Sequence, residues 1–253
     1  MSPLSVSVVV FACVSGGAFL GIFLRNRLPE RHLSAATKDV VRLGTGLIGT
    51  IAALVLGLLI ASANSTYQTQ SSQVQQLTAE IVVLDSTLRQ YGAETEPARN
   101  LLRGVVSALA DRIWRENGSD SGKAQPFEAN TASLAFYNEI LKLSPQNEAQ
   151  RFLQARALDA IQDLGKTRLL LFAEEGRAIP MPFLVVLVSW LAIIFASYGL
   201  FADNNATTIA ALSIFALSAS ASIFLILELS QPFTGLMMIS SEPLRHALAP
   251  VSL

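Results

Sequence analysis

The sequence predicts an all-α integral membrane protein with four transmembrane helices and a helical extramembrane domain inserted between the second and third spans. Three observations predict it. Half of the 253 residues are hydrophobic (51%) and mean hydropathy is +0.46, too apolar for an ordinary soluble chain. Charged residues avoid 1–24, 43–79 and, apart from Asp203, 178–227, and they crowd into 80–177. The stretches 4–24, 43–62, 181–201 and 206–228 are each apolar over the length of about 20 residues that a helix needs to cross hydrocarbon.

The first span follows no Lys or Arg and runs into basic residues where a signal peptide would carry a small-residue cleavage site, so it is expected to be retained. No span holds a Lys or Arg in its interior, where each would cost roughly 2.5–3.5 kcal/mol. Ala202-Asp203-Asn204-Asn205 alone joins the third span to the fourth, which makes them a tight hairpin. Small residues recur in every span: Cys13, Gly17 and Gly21 in the first; Thr45, Gly49, Ala53, Gly57 and Ala61 in the second; Ser189, Ala192, Ala196 and Gly199 in the third; LSASAS at 217–222 in the fourth. Such stripes either let helix backbones approach closely or face a water-filled path.

Between the span pairs the chain reads as helical. Apolar residues at 67, 74, 77, 81, 84, 88 and 91 form one helix stripe, so the second span is expected to continue as a single long helix that stops near Gly92. A second helix starts at Thr95 with Pro97 in its first turn and carries Leu101, Leu102, Val105, Leu109 and Ile113. ENGSDSGK at 116–123 is a loop. A third helix, about 128–143, is expected to bury Leu134, Tyr137 and Leu141; Ser144-Pro145 is expected to cap a fourth, with Phe152, Leu158, Ile161 and Leu164. The domain boundaries expected from this pattern are 1–62 for the first transmembrane pair, 63–179 for the helical extramembrane domain, 180–229 for the second hairpin and 230–253 for the tail.

Net charge is −1, so no global positive field points to a nucleic-acid partner. Cys13 is the one cysteine, and no disulfide framework can form within the chain. Gly44-Thr45-Gly46-Leu47-Ile48-Gly49 matches GxGxxG but opens a span and follows no strand, so it is not read as a dinucleotide site. His32 and His246 stand apart from any Cys or carboxylate at metal-ligand spacing, and no nucleophile motif accompanies the Ser, Thr and carboxylates of the middle helices. The expectation is a non-enzyme without cofactor or metal. Asp111, Arg112, Arg115 and Glu116 read as a solvated face, while Glu228, at the end of a span, is either interfacial or paired in a protein cavity. Charge does not decide orientation: Arg25, Arg27, Arg31, Lys38 and Arg42 on one side face Lys166, Arg168, Arg177 and Arg245 on the other.

Two segments carry a resemblance to a known family. LLIASANSTYQTQ at 58–70 is similar to the bestrophin pattern of an apolar span running into Asn, a small residue and Tyr, here Asn64, Ser65 and Tyr67. LELSQPFTG at 227–235 is similar to the Glu-x-x-x-Pro-Phe-x-Gly that follows the last bestrophin span. The order of two spans, a helical insert, two spans and a tail agrees across almost the whole chain. The chain thus resembles a bacterial member of the bestrophin-like domain family.

The resemblance implies a homo-oligomer, five subunits around a central pore in the inner membrane, with the helical domain in the cytosol and inorganic ions as the conducted species. It implies a neck of apolar side chains on the second span, Leu54 and Leu58 with Thr50 one turn earlier, although lipid-facing or packing roles stay open for them. Asn64, Ser65 and Tyr67 would lie at the span exit or vestibule. Glu228 would mark the exit of the last span, Pro232 would end its helix, and Phe233, with Gly235 in the turn, would anchor it to the helical domain. The chain departs from the pattern where bestrophins carry neck aromatics, an Arg-Trp pair (here Gln68-Thr69) and a calcium-binding acidic cluster (here Thr234-Gly235-Leu236-Met237-Met238). The alternative is a membrane-anchored structural or interaction protein that uses the stripe of the long helix to bind a partner.

Overall fold

The computed structural model describes residues 2–29, 34–115, 131–174, 181–203 and 205–248. They are helical, with no strand among the described residues: α1 Pro3–Arg25, α2 Ala35–Tyr91, a 3-10 turn Ala93–Thr95, α3 Glu96–Arg115, α4 Thr131–Lys142, α5 Glu148–Glu174, α6 Met181–Phe201, α7 Ala206–Leu229 and α8 Glu242–His246. Helices α1, α2, α6 and α7 are long and apolar enough to cross a membrane. The chain forms two compact units, one of residues 1–66 with 178–230 and the other of residues 67–177 with 231–253.

In the first unit Ser2 caps α1 by accepting the Ser5 N–H, and Pro3 takes the first turn, where its missing N–H is no loss. The helix buries Ser7, Val10, Val14, Ala18 and Gly21, one narrow stripe. Along it α1 and α6 meet backbone to backbone. A Cβ built on Gly17 would lie 2.5 Å from the Ala192 carbonyl oxygen, and one on Gly21 would strike the Ala196 carbonyl. From the other side, Gly199 of α6 sits on the Ala18 carbonyl. Gly17, Gly21 and Gly199 are therefore steric requirements, since any side chain would push the helices apart. At the end of α1, Arg25 donates to the Ala202 carbonyl and pairs with Asp203 at 2.9 Å. Asn205 then caps α7 by accepting the Thr208 N–H at 2.7 Å.

Several hydroxyls in these apolar helices are satisfied within their own helix. Thr45, Ser189, Ser197, Ser213 and Ser220 each donate to the carbonyl four residues earlier. A hydroxyl bonded this way needs no water, so it is compatible with lipid or with a packed interface.

The second unit is built on the predicted stripe of α2. Val74, Leu77, Ile81, Leu84, Leu88 and Tyr91 are all buried, and the first five pack in one core with Leu102, Val106 and Ile113 of α3 and with Phe136 and Ile140 of α4. Gly92, at φ 140°, ends α2 in a conformation side chains rarely adopt. The buried Thr95 hydroxyl donates to the Leu88 and Gly92 carbonyls, satisfying groups that the helix end leaves orphaned.

Three expectations are corrected here. Helix α4 buries Phe136 and Ile140, while Leu134, Tyr137 and Leu141 are exposed. Both faces of this helix are apolar, and the one carrying Phe136 turns inward. Helix α5 begins at Glu148, capped by Asn147, which accepts the Gln150 N–H, so Ser144-Pro145 lies before the cap. Phe152, in its first turns, is 65% exposed. The expected start of the third helix at 128–130 and the loop at 116–123 lie outside the described residues.

One ion pair is buried in this unit. Arg99 donates to both carboxylate oxygens of Asp85, at 2.8 and 3.3 Å, and Arg89 adds a third bond at 3.0 Å. Burial pushes the Asp85 carboxyl up, but the bonds and charges of Arg99 and Arg89 outweigh it and hold the group below the ordinary carboxylate value. A carboxyl lowered on folding contributes stability above its unfolded pKa and loses it as pH falls through the folded one.

Two outcomes follow, both read by thermal unfolding in detergent. Gly21→Val is expected to destabilise by about 2 kcal/mol through overpacking, whereas Gly16→Ala, which meets nothing within 4 Å, is neutral. Asp85→Ala is expected to cost about 3 kcal/mol near neutral pH by stranding a buried guanidinium, and the gap to wild type closes as pH falls below about 4.

Candidate functional site

The residues singled out in the second span lie on one side of α2. Thr50, Leu54 and Leu58 recur at four-residue spacing and all are exposed within the chain, Leu54 by 64% and Leu58 by 71%. Thr50 donates to the Gly46 carbonyl at 3.0 Å. Only 11% of the apolar window of α2 is buried, against 22%, 22% and 28% for α1, α6 and α7. The chain's other spans thus leave most of this helix bare.

The small residues of this span behave differently from those of α1. A Cβ on Gly49 would come within 3.9 Å of Ile194 Cδ1, one on Gly57 would meet nothing within 4 Å, and Ala53 is exposed. Of Gly17, Gly21, Gly49 and Gly57, the first two lie against another helix backbone of the same chain, and the other two do not among the described residues.

Past the span, Asn64 and Ser65 are exposed and Tyr67 is half-buried against the core of the second unit. Further along, Gln76 Nε2 donates to Glu80 Oε1 at 2.9 Å and Thr167 donates to the same oxygen at 2.9 Å, tying α2 to α5. These positions offer isobutyl groups, followed along the helix by amides and hydroxyls. No three His, Cys, Asp or Glu gather into a metal-binding group among the described residues.

At the other end, Glu228 is buried in the last turn of α7, which stops at Leu229 with Ser230 as its cap. Pro232 and Phe233 are buried in the turn that follows, and Gly235 takes a φ of 86° there. Phe233 meets Trp114 of α3 edge to face at 5.7 Å, and Trp114 Nε1 donates to the Ile239 carbonyl at 2.8 Å. Arg245 of α8 pairs with Asp111 at 2.9 Å. The tail segment 231–248 is thereby fastened along α3.

Two of the four charges read as a solvated face have partners. Asp111 holds the tail, and the Arg112 guanidinium lies 5.2 Å from the Phe172 ring centre. The side chains of Arg115 and Glu116 lie outside the described residues, as does His32, while His246 is exposed in α8. Trp114, Asp85 and Arg99 escaped the sequence reading. Asp85 beside the buried Leu84 was the one available signal, a charge placed next to the apolar stripe.

Four apolar helices of spanning length in an all-helical chain define a multi-pass membrane protein. The family model of the Bestrophin-like domain matches residues 12–244, and the chain belongs to that family. Neither a curated protein nor a solved structure matches it.

Trp114→Phe keeps the ring but removes the N–H, leaving the Ile239 carbonyl without its donor. The expected result is a loss of about 1–2 kcal/mol, with faster amide exchange confined to 231–248.

Proposed function

We propose that the chain is one subunit of an oligomeric ion channel, anion-conducting or weakly selective, with its pore lined by α2. Leu54 and Leu58 form the constriction and Thr50 the ring before it. Asn64, Ser65 and Tyr67 lead into the vestibule, and the turn of Glu228, Pro232, Phe233 and Gly235 ties the last span to the helical domain. The observation that carries this reading is the bareness of α2: Leu54 and Leu58 project away from the chain's own spans, and Gly57 has open space at its Cβ position. Copies of the same helix, set around an axis, would cover that face and bring the leucines into a ring that gates by excluding water. The family supports the same class of protein.

In this reading residues 63–179 are an extramembrane domain facing the cytosol, the membrane is the bacterial inner membrane, and the assembly is a pentamer. A second reading rests on a different observation. Leu134, Tyr137, Leu141 and Phe152 leave apolar surface exposed in the second unit, which suits a membrane-anchored protein that binds a partner through its helical domain.

Ion flux from liposomes holding purified protein separates the two. For the channel, wild type conducts, and Leu58→Ala or Leu54→Ala raises flux about tenfold, the factor that a barrier lower by about 1.4 kcal/mol gives. An intact oligomer silent in all variants, across salts, voltage and pH, would transfer the conclusion to the interaction protein.

A further inference from the structure

The second unit holds a cavity of about 130 Å³ between α3, α4 and α5. Its walls are apolar, with Leu102 and Leu109 from α3, Phe136 from α4 and Leu164 from α5, and two arginines, Arg112 and Arg168, complete the lining. Both guanidiniums converge on one ring: the Arg112 Cζ lies 5.2 Å and the Arg168 Cζ 5.9 Å from the centre of Phe172. Two like charges are held together beside an oily hollow.

Arg168 is the unusual member. It is half-buried, its Nε is enclosed without a hydrogen-bond partner, and no carboxylate among the described residues pairs with it. Arg99, the other sequestered arginine of this unit, has Asp85 and Glu96 within 2.8 Å. Burial, and then the like charge of Arg112, push the Arg168 guanidinium below its ordinary value. A half-buried guanidinium whose enclosed Nε has no hydrogen-bond partner is costly, and nothing in the apolar core gains from it. An anion seated between the two guanidiniums would remove both penalties.

We propose that this cavity binds a small monocarboxylate with a compact apolar body, an aromatic or branched-chain acid, its carboxylate held by Arg168 and Arg112. The guanidinium fork matches a carboxylate in geometry as well as charge. The apolar walls select the rest of the ligand. An empty apolar cavity of about 150 Å³ accepts benzene, so the room here suits a body of about six heavy atoms. The site is separate from α2's pore face and does not depend on the channel reading.

The test is thermal unfolding of the full chain in detergent, with benzoate as probe, benzamide as its neutral isostere and inorganic phosphate as an anion without an apolar body. Benzoate is expected to raise Tm saturably, by at least about 5 °C at a hundredfold excess over Kd, and the two controls to leave it unchanged. Arg168→Gln is expected to abolish the shift. Gly165→Leu supplies an independent block: Gly165 lines the cavity, and a Cβ there meets nothing within 4 Å, so the variant folds while its side chain fills the space. Arg103→Gln, whose parent side chain bonds Asn100 on the exposed face of α3, should keep the full response. The proposal is overturned by no benzoate shift in wild type, by an equal shift with benzamide or with phosphate, or by a benzoate shift that survives Gly165→Leu.

Discussion

Hydrocarbon offers a backbone no water, and the first unit is built around that single constraint. Every N–H and C=O has to be satisfied inside the helix that carries it, so the helices cannot recruit one another through main-chain bonds. What remains is shape. Helices α1 and α6 use it fully, because Gly17, Gly21 and Gly199 remove the side chains that would hold two backbones apart. The serines and threonines obey the same rule, turning their hydroxyls back onto their own helices. Ser15 of α1 is an exception, its enclosed Oγ having no hydrogen-bond partner among the described residues.

In the second unit the helix ends and one buried carboxylate are satisfied by side chains that reach them. Helix ends are closed by side chains from elsewhere in the unit: Thr95 closes α2, and Gln154 donates to the Ile140 and Leu143 carbonyls at the end of α4. Asp85 is tolerated next to the apolar stripe because two arginines meet it. Trp114 and Asp111 extend the same logic to the tail, whose Phe233, Ile239 and Leu244 are buried in this unit's core and which also gains a ring contact, a hydrogen bond and an ion pair.

Periodicity revealed the long stripe of α2 because only one face of that helix is apolar over seven turns past the membrane-compatible segment. It failed on α4, where Leu134, Tyr137 and Leu141 make as good a stripe as Phe136 and Ile140, and a helix of 12 residues gives too few repeats to choose. The start of α5 was similarly ambiguous, since Ser144 and Asn147 are both competent caps. Small-residue stripes were visible in every span, but Gly17 and Gly57 look alike as sequence. One meets a backbone of the same chain and the other meets open space, and local sequence does not encode which copy supplies a neighbour. Arg112 and Arg168 converge on Phe172 from positions 56 apart, a juxtaposition that no motif announces.

The bond from Arg25 to Ala202 and Asp203 joins residues 177 and 178 positions apart. During synthesis the first span is complete long before its partner exists. At about 5–20 residues per second, α1 waits roughly 10–35 s for the α6–α7 turn to emerge. Over that interval its glycine face has no helix to receive it and its terminal arginine has no carbonyl. The first span must therefore be held in the membrane by hydrophobicity alone. Its uncharged run from Val8 to Leu24 supplies the residence time that the assembly needs.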